Sequence, residues 1–117
     1  MGEWRDNKMS GFGRLTYPNG CTAYEGQWLD DEFHGRGILF NADPTDFTGL
    51  FDYRDFNNSE GVWLTYEGEL KRGKRDGEGR LVLINGECFD GEFRRDNIEG
   101  QGVFYCLTGK RIQGVWR

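Results

Sequence analysis

The sequence predicts an all-β fold: an elongated, single-layer antiparallel meander of about five β-hairpins, with an irregular third repeat. Three features point there. A short unit recurs along the whole chain, residues alternate with a period of two inside it, and asparagine–glycine pairs fall between its second strand and the next copy.

The unit is clearest at Tyr24-Glu25-Gly26-Gln27-Trp28, followed by His34-Gly35-Arg36-Gly37. An aromatic-x-Gly-x-aromatic pentad leads, nine residues after its glycine, to Gly-x-Gly. Tyr66 to Leu70 leads in the same way to Gly77 and Gly79, and Phe89 to Phe93 leads to Gly100 and Gly102. The chain opens part-way through a copy, with Gly2-Glu3-Trp4 before Gly11-Phe12-Gly13, and closes part-way through another at Ile112 to Trp116. The first glycines stand at 2, 26, 49, 68, 91 and 114, so four of the five intervals are 23 or 24 residues. Copies therefore lie near residues 1–23, 24–46, 47–65, 66–88 and 89–111, with a partial copy at 112–117, all in one array.

Within each copy the pentad is the first strand, because aromatic and glycine positions alternate with polar ones. Helix is disfavoured, since interior glycine costs about 1 kcal/mol per site. Polar stretches such as Leu29 to His34 and Arg94 to Glu99 read as turns, and Gly37 to Phe40, Gly79 to Ile84 and Gly102 to Tyr105 as second strands. Asn19-Gly20 and Asn85-Gly86, with Thr108-Gly109 in the equivalent place, then mark the passage to the next copy, Asn-Gly being a hairpin signal because both residues accept positive φ. About ten strands at ~4.8 Å spacing make a ribbon roughly 45–50 Å long.

In the third copy Phe47-Thr48-Gly49-Leu50-Phe51 is intact, but Gly-x-Gly is missing and Gly61 precedes Gly68 by only seven residues. The second strand, around Val62 to Thr65, is expected to turn directly into Tyr66 and to bend the ribbon. A partner-specific site using Tyr53, Phe56 and Trp63 is the alternative role for this irregularity.

Composition fits a sheet without a second layer. Only 36 % of the 117 residues are hydrophobic, yet 15 % are aromatic and 19 are glycine. Aromatics lying over the glycines of neighbouring strands replace a conventional core, each burying on the order of 150–250 Å². The other face, with Glu25/Gln27, Glu67/Glu69 and Asp90/Glu92, is read as keeping the ribbon soluble.

The net charge of −5, from 15 basic and 20 acidic residues, excludes bulk nucleic-acid binding. Cys21, Cys88 and Cys106 show no metal or disulfide spacing. They read as reduced thiols of an intracellular protein, with no signal sequence at Met1-Gly2-Glu3. Catalysis has no support: His34 is the only histidine and reads as a turn residue, as do Asp30-Asp31-Glu32. A faint calcium-loop echo from Asp55 fails, with Glu60 at the glycine position and Tyr66 where glutamate is needed. The Gly-x-Gly pairs do not continue as nucleotide fingerprints. Neither cofactor nor metal is expected.

The candidate functional surface is the aromatic face, a partner-binding groove lined by Trp4, Tyr24, Trp28, Phe47, Phe51, Tyr66, Phe89, Phe93 and Trp116. Such a stripe suits an apolar helix or extended peptide of another protein. A rival site is the basic cluster Lys71, Arg72, Lys74 and Arg75, a candidate anionic-lipid patch.

The Tyr-x-Gly-x-Trp/Phe pentad with its Gly-x-Gly, at Tyr24 to Gly37, Tyr66 to Gly79 and Phe89 to Gly102, resembles the MORN repeat (membrane occupation and recognition nexus). The resemblance implies an elongated row of β-hairpins with an aromatic-lined groove, and a scaffold or adaptor rather than an enzyme. Members occur in radial-spoke proteins of motile cilia, protist cortical structures and membrane junctions, and as arrays beside phosphoinositide kinases and SET-domain methyltransferases. It therefore implies a cytoskeletal setting, a ciliary or flagellar axoneme foremost, with a phosphoinositide or membrane-surface module as the alternative. Terminal strands at residues 2–5 and 112–117 are expected to be sheet edges open to end-to-end pairing.

Overall fold

Among the described residues, two kinds of chain reversal build the sheet. The computed structural model describes residues 2–5 (as backbone), 8–41 and 62–116. Nine strands follow: β1 (Gly2–Arg5), β2 (Lys8–Thr16), β3 (Thr22–Leu29), β4 (Glu32–Phe40), β5 (Trp63–Lys71), β6 (Lys74–Leu83), β7 (Cys88–Arg94), β8 (Asn97–Tyr105) and β9 (Arg111–Trp116). Asp30-Asp31, Arg72-Gly73 and Arg95-Asp96 all have positive φ, between 50° and 80°. Two consecutive left-handed residues make the two-residue hairpin turn whose twist matches that of the flanking strands. These turns close at Leu29↔Glu32, Lys71↔Lys74 and Arg94↔Asn97. The five- or six-residue turns expected from Leu29 to His34 and Arg94 to Glu99 are thus corrected. The strands run through those polar residues, and His34 is an exposed strand residue of β4 rather than a turn residue.

At the other edge the glycines, Gly20, Gly86 and Gly109, take positive φ and the residue before each does not. There Gly20 N–H donates to Tyr17 O (2.9 Å) and Tyr17 N–H to Cys21 O (2.8 Å), and Gly86/Leu83/Glu87 and Gly109/Cys106/Lys110 repeat the pattern. This is a turn closed by a glycine bulge.

The strands pair antiparallel in the order β1 to β9, and one line of glycines crosses all nine. Gly2 faces Gly13, which faces Gly26, then Gly37, Gly68, Gly79, Gly91, Gly102 and Gly114. Over this line lie the aromatic rings, as predicted. A Cβ at Gly37 would stand 2.5 Å from the Tyr24 ring, and those at Gly79 and Gly102 would overlap the rings of Tyr66 and Phe89. Extents of 47 × 30 × 21 Å fit the expected ribbon length.

The irregular copy is absorbed differently from the expectation. β4 pairs directly with β5, Gly37 facing Gly68 and Phe40 facing Thr65. Trp63 to Thr65 do not form a separate strand that turns into Tyr66; they continue into Tyr66 within β5, with a bulge between Trp63 and Thr65. No turn-forming residue stands between Thr65 and Tyr66, so a β-branched and aromatic run stays extended. Four or five residues separate the strands at the three glycine-bulge connections, whereas residues 41–62 separate β4 from β5. Phe47, Phe51, Tyr53 and Phe56 lie outside the described residues.

Candidate functional site

The two faces of the sheet have unequal resources. On the aromatic face, Tyr24, Tyr66 and Phe89 are 0 % exposed and Phe93 is 3 % exposed. Tyr24 stacks on Phe33 (ring centroids 4.0 Å apart) and meets Trp28 edge-on at 5.4 Å. Tyr66 meets Phe93 at 4.8 Å, and Phe89 meets Trp116 at 4.9 Å. Each such pair adds about 0.5–1.5 kcal/mol beyond its buried area. Hydroxyls of Tyr24 and Tyr66 donate to Gln27 O (2.7 Å) and Glu69 O (2.6 Å), anchoring the rings. Burial pushes the Tyr24 phenol up to about 12.

Of the nine residues expected to line a groove on this face, Tyr24, Tyr66, Phe89 and Phe93 are core and have no surface to give a partner. Neighbouring strands bring Phe33, Leu39, Leu81 and Phe104 against them, a covering that one copy's spacing does not reveal. Trp28 and Trp116 remain half-buried at the margin, the Trp28 indole N–H buried without an acceptor. Trp4 stands opposite Met9 in the β1–β2 register.

Sequence reasoning missed the opposite face. Two rows of side chains flank the glycine line there. One runs from Arg14 through Glu25, Ile38, Glu67, Arg80 and Asp90 to Val103, each directly opposite the next. The other runs from Phe12 and Gln27 through Arg36, Glu69, Glu78 and Glu92 to Gln101 and Val115. Between the rows lies a trough of about 810 Å³, with Gly13, Gly26, Gly37 and Gly68 among its lining. A second basin of about 590 Å³ follows at Gly79, Gly91, Gly102 and Gly114. The side chains that these glycines lack would stand on the aromatic face, against Tyr24, Tyr66 and Phe89, so on this face the glycine line contributes bare backbone as the floor and the two side-chain rows make the walls.

Part of that face is structural. Arg36, Glu78 and Gln101 donate backbone N–H to Gln27 Oε1 (2.8 Å), Glu69 Oε2 (2.6 Å) and Glu92 Oε2 (2.6 Å). Each donor follows a glycine of positive φ, namely Gly35, Gly77 and Gly100, beside a register shift in the partner strand. The side chain caps an N–H that the bulge leaves out of the ladder. Gln27, Glu69 and Glu92 thus do more than solubilise. Arg80 makes two 2.6 Å hydrogen bonds to the Asp90 carboxylate, and Arg14 lies 3.3 Å from Glu25.

The basic cluster divides. Lys71, Arg72 and Lys74 are exposed around their turn. Arg75 points inward, its side chain 21 % exposed and 3.5 Å from Asp96, with the guanidinium 5.3 Å from the Phe93 ring centroid. Burial pulls its pKa down and Asp96 pulls it back. Arg75 is withdrawn from the expected lipid patch because the rings and Asp96 hold it.

Cys21, Cys88 and Cys106 are free thiols. Among the described residues no group of histidine, cysteine or carboxylate side chains is placed to hold a metal, and no helix is long and apolar enough to cross a membrane.

The MORN-repeat family model matches residues 1–22, 24–43, 66–88 and 89–111, most of the chain and in phase with the strands. The chain belongs to the MORN-repeat family. This MORN array is similar to alsin from Homo sapiens, Pan troglodytes and Mus musculus, 33 % identical to each over 77 residues. That similarity covers 58 % of the chain and 5 % of each alsin, so the chain spans a small part of the length of these relatives. MORN repeats are typically protein- or membrane-binding, non-catalytic modules, and no catalytic domain is identified in this one.

Proposed function

We propose that this MORN array is a non-catalytic adaptor that seats a polypeptide segment of a partner protein in the glycine-floored trough. One observation carries the reading: the aromatic rings are spent on the protein's own core, while the opposite face holds an open trough of about 810 Å³. Phe12, 64 % exposed, and the half-buried Ile38 supply apolar contact on its walls. Polar walls around apolar anchors are the usual anatomy of a protein interface. A cytoskeletal assembly inside the cell, such as a ciliary or flagellar axoneme, is the setting that family analogy offers; the geometry does not bear on it.

Affinity capture from source cells, quantified by mass spectrometry, tests the trough. A Phe12→Asp/Ile38→Asp variant with unchanged β-sheet circular dichroism is expected to lose the proteins that the wild type captures. Capture of the same set by the folded variant refutes the assignment. The membrane-surface alternative has three exposed cations at one turn and a net charge of −5 against it. Salt-sensitive sedimentation with phosphoinositide vesicles, lost on Lys71→Glu/Arg72→Glu/Lys74→Glu, would favour it instead.

A further inference from the structure

The charge in the trough points to the chemistry of its occupant. Asp90 occupies Arg80, and Glu25 lies against Arg14. What remains between the two basins is Glu67, Glu69, Glu78 and Glu92 against Arg36. Glu67 and Glu78 are exposed and have no hydrogen-bond or ion-pair partner for their carboxylates among the described residues. Glu78 stands directly opposite Glu92 across the β6–β7 pair, and Glu69 reaches the Glu78 backbone from the other side. Like charges directly opposite one another destabilise a sheet; the Glu92 carboxylate is held by the Gln101 N–H, and a cation beside Glu78 would offset the remaining repulsion.

The exposed apolar residues of the two rows, Phe12 and Val115, sit at the ends, while the half-buried Ile38 stands directly opposite Glu67. Phe12 is in β2, three strand steps from Glu67 in β5; Val115, 59 % exposed, is in β9, three steps from Glu78 in β6. At ~4.8 Å per step each apolar end lies roughly 14 Å from the carboxylates.

We propose that the trough takes a basic polypeptide segment, with two or more lysine or arginine side chains at its centre and an apolar residue on each flank. The flanks lie about four residues from the basic centre if the segment is extended, or nine to ten if it is helical. The inference rests on the trough being the binding site and adds the sign and spacing of the charge. Acidic phosphopeptides and anionic lipid headgroups are excluded from this face by the same carboxylates.

Selection of a random displayed peptide library on the whole chain, followed by fluorescence anisotropy of the enriched peptides, tests it. The expected peptides are basic at the centre and apolar at both flanks, and raised salt weakens them. Glu67→Lys/Glu78→Lys is expected to weaken them at least about tenfold, several exposed ion pairs being reversed together. Glu67→Gln/Glu78→Gln, which adds no charge, is expected to give a smaller loss and serves if the reversal variant fails to fold. Neutral or acidic peptides that still depend on Ile38 would overturn the charge assignment and leave the trough standing. If no enriched peptide is sensitive to Ile38→Asp, both fall. Concentration-dependent self-association, abolished by Glu67→Lys/Glu78→Lys, would make a second copy's Lys71–Lys74 turn the occupant and also overturn the proposal.

Discussion

Replacing Gly79 by alanine tests the packing principle on which the sheet depends. The new methyl group would overlap the Tyr66 ring and lie 2.5 Å from its hydroxyl oxygen. Tyr66 has nowhere to go: it is 0 % exposed, and its hydroxyl is held 2.6 Å from Glu69 O. Overpacking of a filled core costs about 1–3 kcal/mol; the rigidity of the ring places Gly79→Ala near the upper end, about 3 kcal/mol. Backbone strain adds nothing here, because Gly79 does not have positive φ. Gly109 is the complementary control. A Cβ there meets nothing within 4 Å, but φ is +88°, so Gly109→Ala is expected to cost only the left-handed conformational penalty, about 1–2 kcal/mol. Urea denaturation of both variants, followed by circular dichroism and tryptophan fluorescence, gives the comparison. Tyr66→Ala and the double variant complete a cycle, and the Gly79→Ala cost is expected to fall sharply once the ring is gone. Equal costs for Gly79→Ala and Gly109→Ala, or additivity in the cycle, would refute the ring-on-glycine account.

Glu92→Ala removes the acceptor from the Gln101 N–H and is expected to cost about 1–2 kcal/mol, whereas Glu92→Gln keeps most of the bond, as Gln27 does for Arg36; denaturation midpoints of the pair decide it. Asp96→Ala leaves the inward Arg75 without its carboxylate and its backbone N–H without the 2.8 Å bond, an expected loss of about 1 kcal/mol by the same assay. Glu87, 1 % exposed, accepts from Asn85 Nδ2 (2.7 Å) and lies 3.3 Å from the Leu107 amide of the next loop; Glu87→Ala is expected to cost about 1–3 kcal/mol and to loosen β9 first, seen as faster amide exchange there. For Tyr24 the folded-state pKa is raised, from 10.0 to about 12, so its contribution is intact below pH 10 and is lost as pH rises towards 12. Tyr24→Phe is expected to flatten that part of the stability–pH profile, and an unchanged profile would assign the alkaline loss to other groups.

Fold class, strand alternation and repeat phase were legible because each depends on nearby residues. Glycine at a fixed place in copies 23 or 24 residues long was enough to imply rings lying on glycines, and Tyr24 on Gly37 and Phe89 on Gly102 do so. The turns were less legible. Leu29 to His34 and Arg94 to Glu99 are polar throughout, and polarity does not distinguish a loop from two exposed strand ends joined by Asp30-Asp31 or Arg95-Asp96. Val62 to Thr65 misled for a related reason: template spacing demanded a turn before Tyr66, but pairing with β4 and β6 held the segment straight.

Local alternation established two faces, one aromatic and one charged, and left open which of them is available to a partner. That was settled in three dimensions. Phe33 stacked on Tyr24, and Phe93 against Tyr66, arrive from other strands and close the aromatic face. The glycines of eight further strands align with Gly2 only once the register is set, and the same register lines up the two side-chain rows that border a trough on the charged face. A side chain's place in a pentad determines the direction in which it points. Whether anything already stands there depends on residues of other strands, from nine positions away for Phe33 on Tyr24 to 27 for Phe93 on Tyr66, and only the folded sheet brings them together.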